Sequence, residues 1–170
     1  MYRKKLRLLG LAAILIVIHT LWSSISLTND PYYHSRGSNN IDVSYCHQRR
    51  SLFCGQACVE MMLLNIQGRS VSQFELAKEM SYKEGVGTRN VYLSSPFEKR
   101  DLKILSKGPY SNLDHLVRSI DSCQYSIINI RFDEKSDYGH YVVVTGYNET
   151  GFFVNDPWPE KWGHLVEREV

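Results

Sequence analysis

Residues 54–68 read Cys-Gly-Gln-Ala-Cys-Val-Glu-Met-Met-Leu-Leu-Asn-Ile-Gln-Gly, a helix-forming run that ends on a residue suited to stop it. Cys58, Met61, Met62, Asn65 and Ile66 recur at helical spacing and fall near one face. A helix is therefore predicted from Cys54, with Gly68 just past its C-terminus. Its first turn carries a cysteine, in the partial positive field and among the unclaimed N–H groups of a helix start.

Toward the C-terminus, Ser72-Gln-Phe-Glu75 has the form of a capping box and opens a short second helix through Met80. Residues 81–90, with Gly85 and Gly87, read as a loop. Residues 91–107 are ambiguous, because Pro96 interrupts a possible helix and residues 101–105 also fit a short strand. Ser111-Asn-Leu-Asp114 again resembles a capping box, and Leu113, Leu116, Val117 and Ile120 give a third helix its apolar face. The period then changes. Residues 125–132 (YSIINIRF), 141–147 (YVVVTGY) and 151–155 (GFFVN) are rich in β-branched and aromatic residues, and the last two flank the turn 148–151. Helices followed by an antiparallel sheet make an α+β architecture.

Toward the N-terminus, residues 29–41 (NDPYYHSRGSNNI) have no apolar period and read as a linker, so the folded domain is expected over residues 42–170. Before the linker, residues 1–28 hold Arg3, Lys4, Lys5 and Arg7, followed by an apolar run from Leu8 to Leu27 of about the length that spans a bilayer. Cations followed by an uninterrupted apolar run are the arrangement of a signal or signal-anchor. The positive-inside bias places the N-terminus in the cytoplasm and the domain outside it. Ser24-Ile25-Ser26 only loosely resembles a cleavage site, which favours an anchor over a cleaved signal that would release the domain in secreted form.

The formal charge of +2 conceals an asymmetry, since four of the 20 Lys and Arg residues lie in that N-terminal cluster and 18 acidic residues follow it. The domain itself is slightly acidic, without a basic field for phosphate backbones. Nucleic acid is therefore excluded as a partner. The 43% apolar content fills a core without metals. The four cysteines, Cys46, Cys54, Cys58 and Cys123, lack the C-x2-C spacing of zinc pairs. In an oxidising compartment they have the means to pair, Cys46 with Cys123 being one of several connectivities.

Cys54 is the candidate nucleophile, because a helix start favours the thiolate. Cys58, one turn later, reads as core packing. A thiol nucleophile needs a base within hydrogen-bond reach, and His140 opens the apolar strand 141–147 after Asp137-Tyr138-Gly139. His47 and His164 stand only as substitutes; His19, His34 and His115 have weaker contexts. A third polar group should fix the imidazole tautomer, and Asp156 ends the next strand, where a hairpin would return it beside His140. Gln48, with five residues between it and Cys54, has the reach to aim its amide at an oxyanion beside the thiol, with a backbone N–H at the helix start as second donor. Phe152, Phe153, Trp158 and Trp162 are also open to a reading as an exposed aromatic contact surface, against core and rim packing.

Gln48-x5-Cys54-Gly-Gln-Ala-Cys58, then Gly139-His140-Tyr-Val-Val-Val-Thr-Gly146 and Asn155-Asp156-Pro157, resembles the double-glycine leader peptidases, the cysteine peptidase family thirty-nine domain that trims bacteriocin precursors, and their stand-alone relatives. The resemblance covers residues from Cys46 to the C-terminus. It implies a papain-like fold, a peptide or protein substrate, no metal or organic cofactor, and nucleophile, base, acid and oxyanion glutamine at Cys54, His140, Asp156 and Gln48. The best-known members are fused to a multispan exporter and face the cytoplasm. This sequence has a single apolar segment, no nucleotide-binding Gly-rich loop and an expected topology on the other side of the membrane, so a double-glycine leader is not the expected substrate. Only fourteen residues follow Asp156, which shortens the closing strand or leaves part of the cleft to come from elsewhere. Two alternatives stand beside hydrolysis: transfer of the acyl group to an amine, as in transglutaminase-like enzymes, and a catalytically silent peptide-binding module.

Overall fold

The structure, a computed structural model, describes residues 38–108, 113–131 and 139–158. In chain order it runs β1 (Asn39–Asn40), α1 (Cys54–Gln67), α2 (Gln73–Glu79), a 3-10 turn (Asn90–Tyr92), α3 (Ser95–Glu98), α4 (Asp114–Asp121), β2 (Ser126–Arg131), β3 (Gly139–Tyr147) and β4 (Phe152–Asn155). This is the α+β arrangement expected, helices first and an antiparallel sheet after them. The apolar N-terminal segment and its cations lie outside the described residues, as do Trp162 and His164. Among the described residues, no helix is long and apolar enough to cross a membrane.

β3 is the centre of the sheet, pairing antiparallel with β2 from Arg131↔Gly139 to Ser126↔Val144 and with β4 from Val143↔Asn155 to Tyr147↔Phe152. Its apolar run is nearly continuous because both faces are covered. Tyr141 and Val143, with Ile127, pack against α1, α2 and α3 through Met61, Met62, Leu63, Leu76 and Phe97. Val142 and Val144, with Ile128, pack against Leu116, Val117 and Ile120 of α4. The alternation that follows from the pleat thus splits one strand between two apolar clusters.

α1 ends as the sequence indicates: Gly68 takes the left-handed conformation at φ 67°, and its N–H donates to the Leu64 carbonyl. The helix is buried on nearly every side from Gly55 to Leu63, rather than along one face. Ser72 caps α2 by accepting from the Phe74 N–H at 3.3 Å. Pro96 does not break a helix but begins one, in the first turn of α3, where its missing N–H has no intrahelical partner to lose. Leu113 occupies the N-cap of α4 without a side-chain cap, and Ser111 lies outside the described residues. Residues 39–41, expected as the end of the linker, join the sheet instead. Asn39 pairs with Tyr147 and Asn40 with Gly146, and the Ile41 N–H donates to the Thr145 carbonyl at 2.7 Å. Gly146 permits that approach, since a Cβ there would stand 2.8 Å from the Asn39 carbonyl oxygen.

Candidate active site

Cys54 is the first residue of α1, and the chain is aimed into that helix by a tight turn. Leu52 adopts a left-handed conformation at φ 63°, and the Phe53 N–H closes the turn on the Arg50 carbonyl at 3.2 Å. Phe53 is buried and anchors the helix start edge-on against Tyr82 and Phe74, with ring centroids 4.9 Å and 5.5 Å away. Among the described residues no side chain caps α1, and no acidic residue lies in its first turn. Among those residues nothing offsets the positive end of the helix, which suits it to receive an anion.

His140 is the second residue of β3, opposite Ile130, and Asp156 follows β4 directly. The hairpin does what the sequence led us to expect and folds Asp156 back onto His140, with Nε2 of the imidazole 2.7 Å from Oδ1. Both side chains are only 5% exposed. Cys54 lies close enough to the same imidazole to raise its pKa, and with Nε2 engaged by Asp156 the nitrogen left to face the thiol is Nδ1. Burial alone would push the imidazole toward neutrality. The hydrogen bonds and charges of Asp156 and Cys54 overcome it and raise His140 to about 9. The imidazolium is thus the favoured form at neutral pH.

Asp156 is itself fixed in place. Its Oδ1 also accepts the Trp158 N–H at 2.9 Å, and its main-chain carbonyl accepts the Tyr45 hydroxyl at 3.0 Å. The Trp158 ring stands nearly perpendicular to the imidazole, with centroids 6.4 Å apart. Trp158 is half-buried there, and Phe152 is buried against Tyr147. Among the described residues the aromatic-surface reading is therefore replaced by packing.

Gln48 is buried at 5% exposure, and its N–H donates to the Pro157 carbonyl at 2.8 Å, which ties its loop to the segment carrying Asp156. Its Nε2 donates to the Arg50 carbonyl at 3.0 Å. The opposite amide orientation would set two acceptors face to face, so Nε2 is fixed by that contact and keeps a second hydrogen to offer. Tyr141 packs on Gly55, where a Cβ would sit 3.2 Å from its ring, and its hydroxyl donates to Asn90 Oδ1 with the Thr88 carbonyl 3.2 Å away. Small size at Gly55 thus lets β3 close on the start of α1.

All four cysteines are free. Burial pushes the Cys58 thiol far up and the half-buried Cys46 to about 11, the latter with help from the Glu60 charge. Both are therefore held as neutral thiols near neutral pH. The substitute base His47 is exposed, as is His115 on α4. Among the described residues no group of His, Cys, Asp or Glu is disposed to hold a metal ion.

Trp158 and Tyr45 are site residues that the sequence did not single out in these roles. The one available signal was the position of Trp158, two residues beyond the turn-forming Asp156-Pro157. Among protein-family models, the one described as "Peptidase_C39 like family" matches residues 40–168, about three quarters of the chain. No curated protein and no solved structure matches the chain.

Proposed function

The chain belongs to the Peptidase_C39-like family, a cysteine peptidase family of papain-like α+β fold, and from that premise we propose that Cys54, His140 and Asp156 form a working catalytic triad that cleaves a peptide or protein substrate outside the cytoplasm. The observation that carries the reading is the buried His140–Asp156 pair, with Nε2 2.7 Å from Oδ1, beside a Cys54 that begins α1 and acts electrostatically on the same imidazole. The apolar run from Leu8 to Leu27, with four cations before it, supports tethering of the domain to the membrane with the domain on the far side.

Cys54 Sγ attacks the scissile carbonyl, and a C–S bond forms as the carbonyl π electrons move to oxygen. The resulting oxyanion is received by the second Nε2 hydrogen of Gln48 and the Cys54 N–H. His140, already cationic, delivers its Nδ1 proton to the leaving amine nitrogen as the C–N bond breaks. It then takes a proton from water, whose oxygen attacks the thioester and expels Cys54 as thiolate. Asp156 keeps the ring in the orientation that presents Nδ1 to sulfur and stabilises the imidazolium. Cys54 is free in the structure, which supports the active reading over the silent one.

Limiting iodoacetamide applied to the full-length chain at about pH 6, where ordinary thiols are protonated, tests the reading. Cys54 should be alkylated at least about tenfold faster than Cys123, with Cys46 and Cys58 unlabelled, and His140→Ala should abolish the preference. Equal, slow labelling of Cys54 and Cys123 that ignores His140 would leave only a peptide-binding module.

A further inference from the structure

Gln73 is the first residue of α2, where a polar side chain ordinarily faces water, yet it is fully buried. Its amide grips the two peptide groups that flank Gln48. Nε2 donates to the His47 carbonyl at 2.8 Å, and Oε1 accepts the Arg49 N–H at 2.9 Å. The remaining Nε2 hydrogen goes to Glu60 Oε2 at 2.8 Å. Glu60, on α1 and 2% exposed, receives the Ser70 hydroxyl on Oε1 at 2.7 Å and faces the Arg49 guanidinium at 3.9 Å. A buried carboxylate is a poor device for stability alone, because its desolvation cancels most of what its partners return. Here it fixes which way the Gln73 amide points, and so which face of the 47–49 backbone is held.

Resting on the triad reading above, we propose that Gln73, oriented by Glu60, is a positioning residue for the oxyanion-binding amide of Gln48. Three backbone groups around Gln48 are clamped: the His47 carbonyl and Arg49 N–H by Gln73, and its own N–H by Pro157. With its backbone fixed on both sides, and Nε2 held by the Arg50 carbonyl, the Gln48 side chain is left one orientation relative to α1. Oxyanion stabilisation depends on donors that need no rearrangement as charge develops, so slack in this loop costs rate without touching the thiol.

Two reactions of Cys54 separate the roles. Acylation by p-nitrophenyl acetate forms a C–S bond through an oxyanion and releases p-nitrophenolate, after which water hydrolyses the thioester. Alkylation by iodoacetamide displaces iodide and forms no oxyanion. In the full-length chain, with Cys54→Ala as blank, Gln48→Ala should slow acylation by about 10²-fold and Gln73→Met by about tenfold or more. Gln73→Met, close in volume, should alkylate within about twofold of wild type, and Gln48→Ala/Gln73→Met should acylate no more slowly than Gln48→Ala alone, since a positioning residue has nothing left to position. Glu60→Gln, which removes at least one hydrogen bond of the network, repeats the comparison should Gln73→Met not fold, with a several-fold loss in acylation at unchanged alkylation. Wild-type acylation rates in these Gln73 or Glu60 variants, losses that multiply in the double variant, or acylation and alkylation falling together would overturn the proposal. Absence of Cys54-dependent acylation in the wild type would overturn the triad reading along with it.

Discussion

Replacing Asp156 by Asn retains an acceptor for His140 Nε2 but removes the charge that holds the imidazole protonated. His140 is only 4% exposed and is carried from its ordinary 6.5 to about 9 against the pull of burial. At about 1.4 kcal/mol per tenfold, that displacement corresponds to about 3 kcal/mol in favour of the folded imidazolium. The folded value is the higher one, so this stabilisation is fully present below pH 6.5 and is lost as pH rises through about 9. The full-length wild-type chain should therefore lose about 3 kcal/mol of unfolding free energy from this group between those pH values, read as a falling urea midpoint at constant slope. In Asp156→Asn burial is opposed by Cys54 alone, and the imidazole should titrate at least about one unit below the wild type. The His140 contribution to the pH dependence should flatten accordingly. Imidazole NMR titration of both proteins follows the same group directly. A His140 midpoint near 6.5 in the wild type, or midpoints that coincide in wild type and variant, would refute the reasoning.

Two further substitutions test the frame around the site. Gly146→Ala puts a Cβ against the Asn39 carbonyl and Asn40, so β1 should leave the sheet at a cost of about 1–3 kcal/mol; the Ile41 amide should then lose its protection in hydrogen exchange, and unchanged protection would refute the close approach. Leu63→Ala removes a fully buried side chain from α1 and should destabilise the chain by about 2–5 kcal/mol in urea melts, whereas a loss under about 1 kcal/mol would mean that α1 is not tightly packed at this position.

What the sequence disclosed follows from where periodicity and turn chemistry are strong. α1 stops at Gly68 because only the left-handed conformation there closes the Leu64 carbonyl, and that requirement is visible in the letters. The β3–β4 hairpin was readable from two apolar runs around Asn148–Gly151, where the Asn148 side chain gathers the Thr150 and Gly151 N–H groups. With the hairpin came the juxtaposition of His140 and Asp156, sixteen residues apart in the chain. β1 was not readable, since Asn39-Asn40 has no strand propensity and its pairing depends on the close approach that Gly146 permits. Pro96 was misleading for a related reason: a proline marks a helix boundary without saying on which side the helix lies.

The polar network behind Gln48 was hidden for a deeper reason. Glu60 and Gln73 are thirteen residues apart on different helices, and each looks like the polar face of an amphipathic element. α1, however, has no polar face along Gly55–Leu63, because α2, α3 and β3 enclose it. A glutamate on such a helix must be partnered inside the protein, and its partner must come from whatever element happens to pack there. Gln73 is that partner, and the same amide has hydrogen-bonding capacity left over, which goes to the loop backbone groups flanking Gln48. The positioning of Gln48 thus follows from enclosing α1, a tertiary fact, and a one-dimensional pattern carries no record of it.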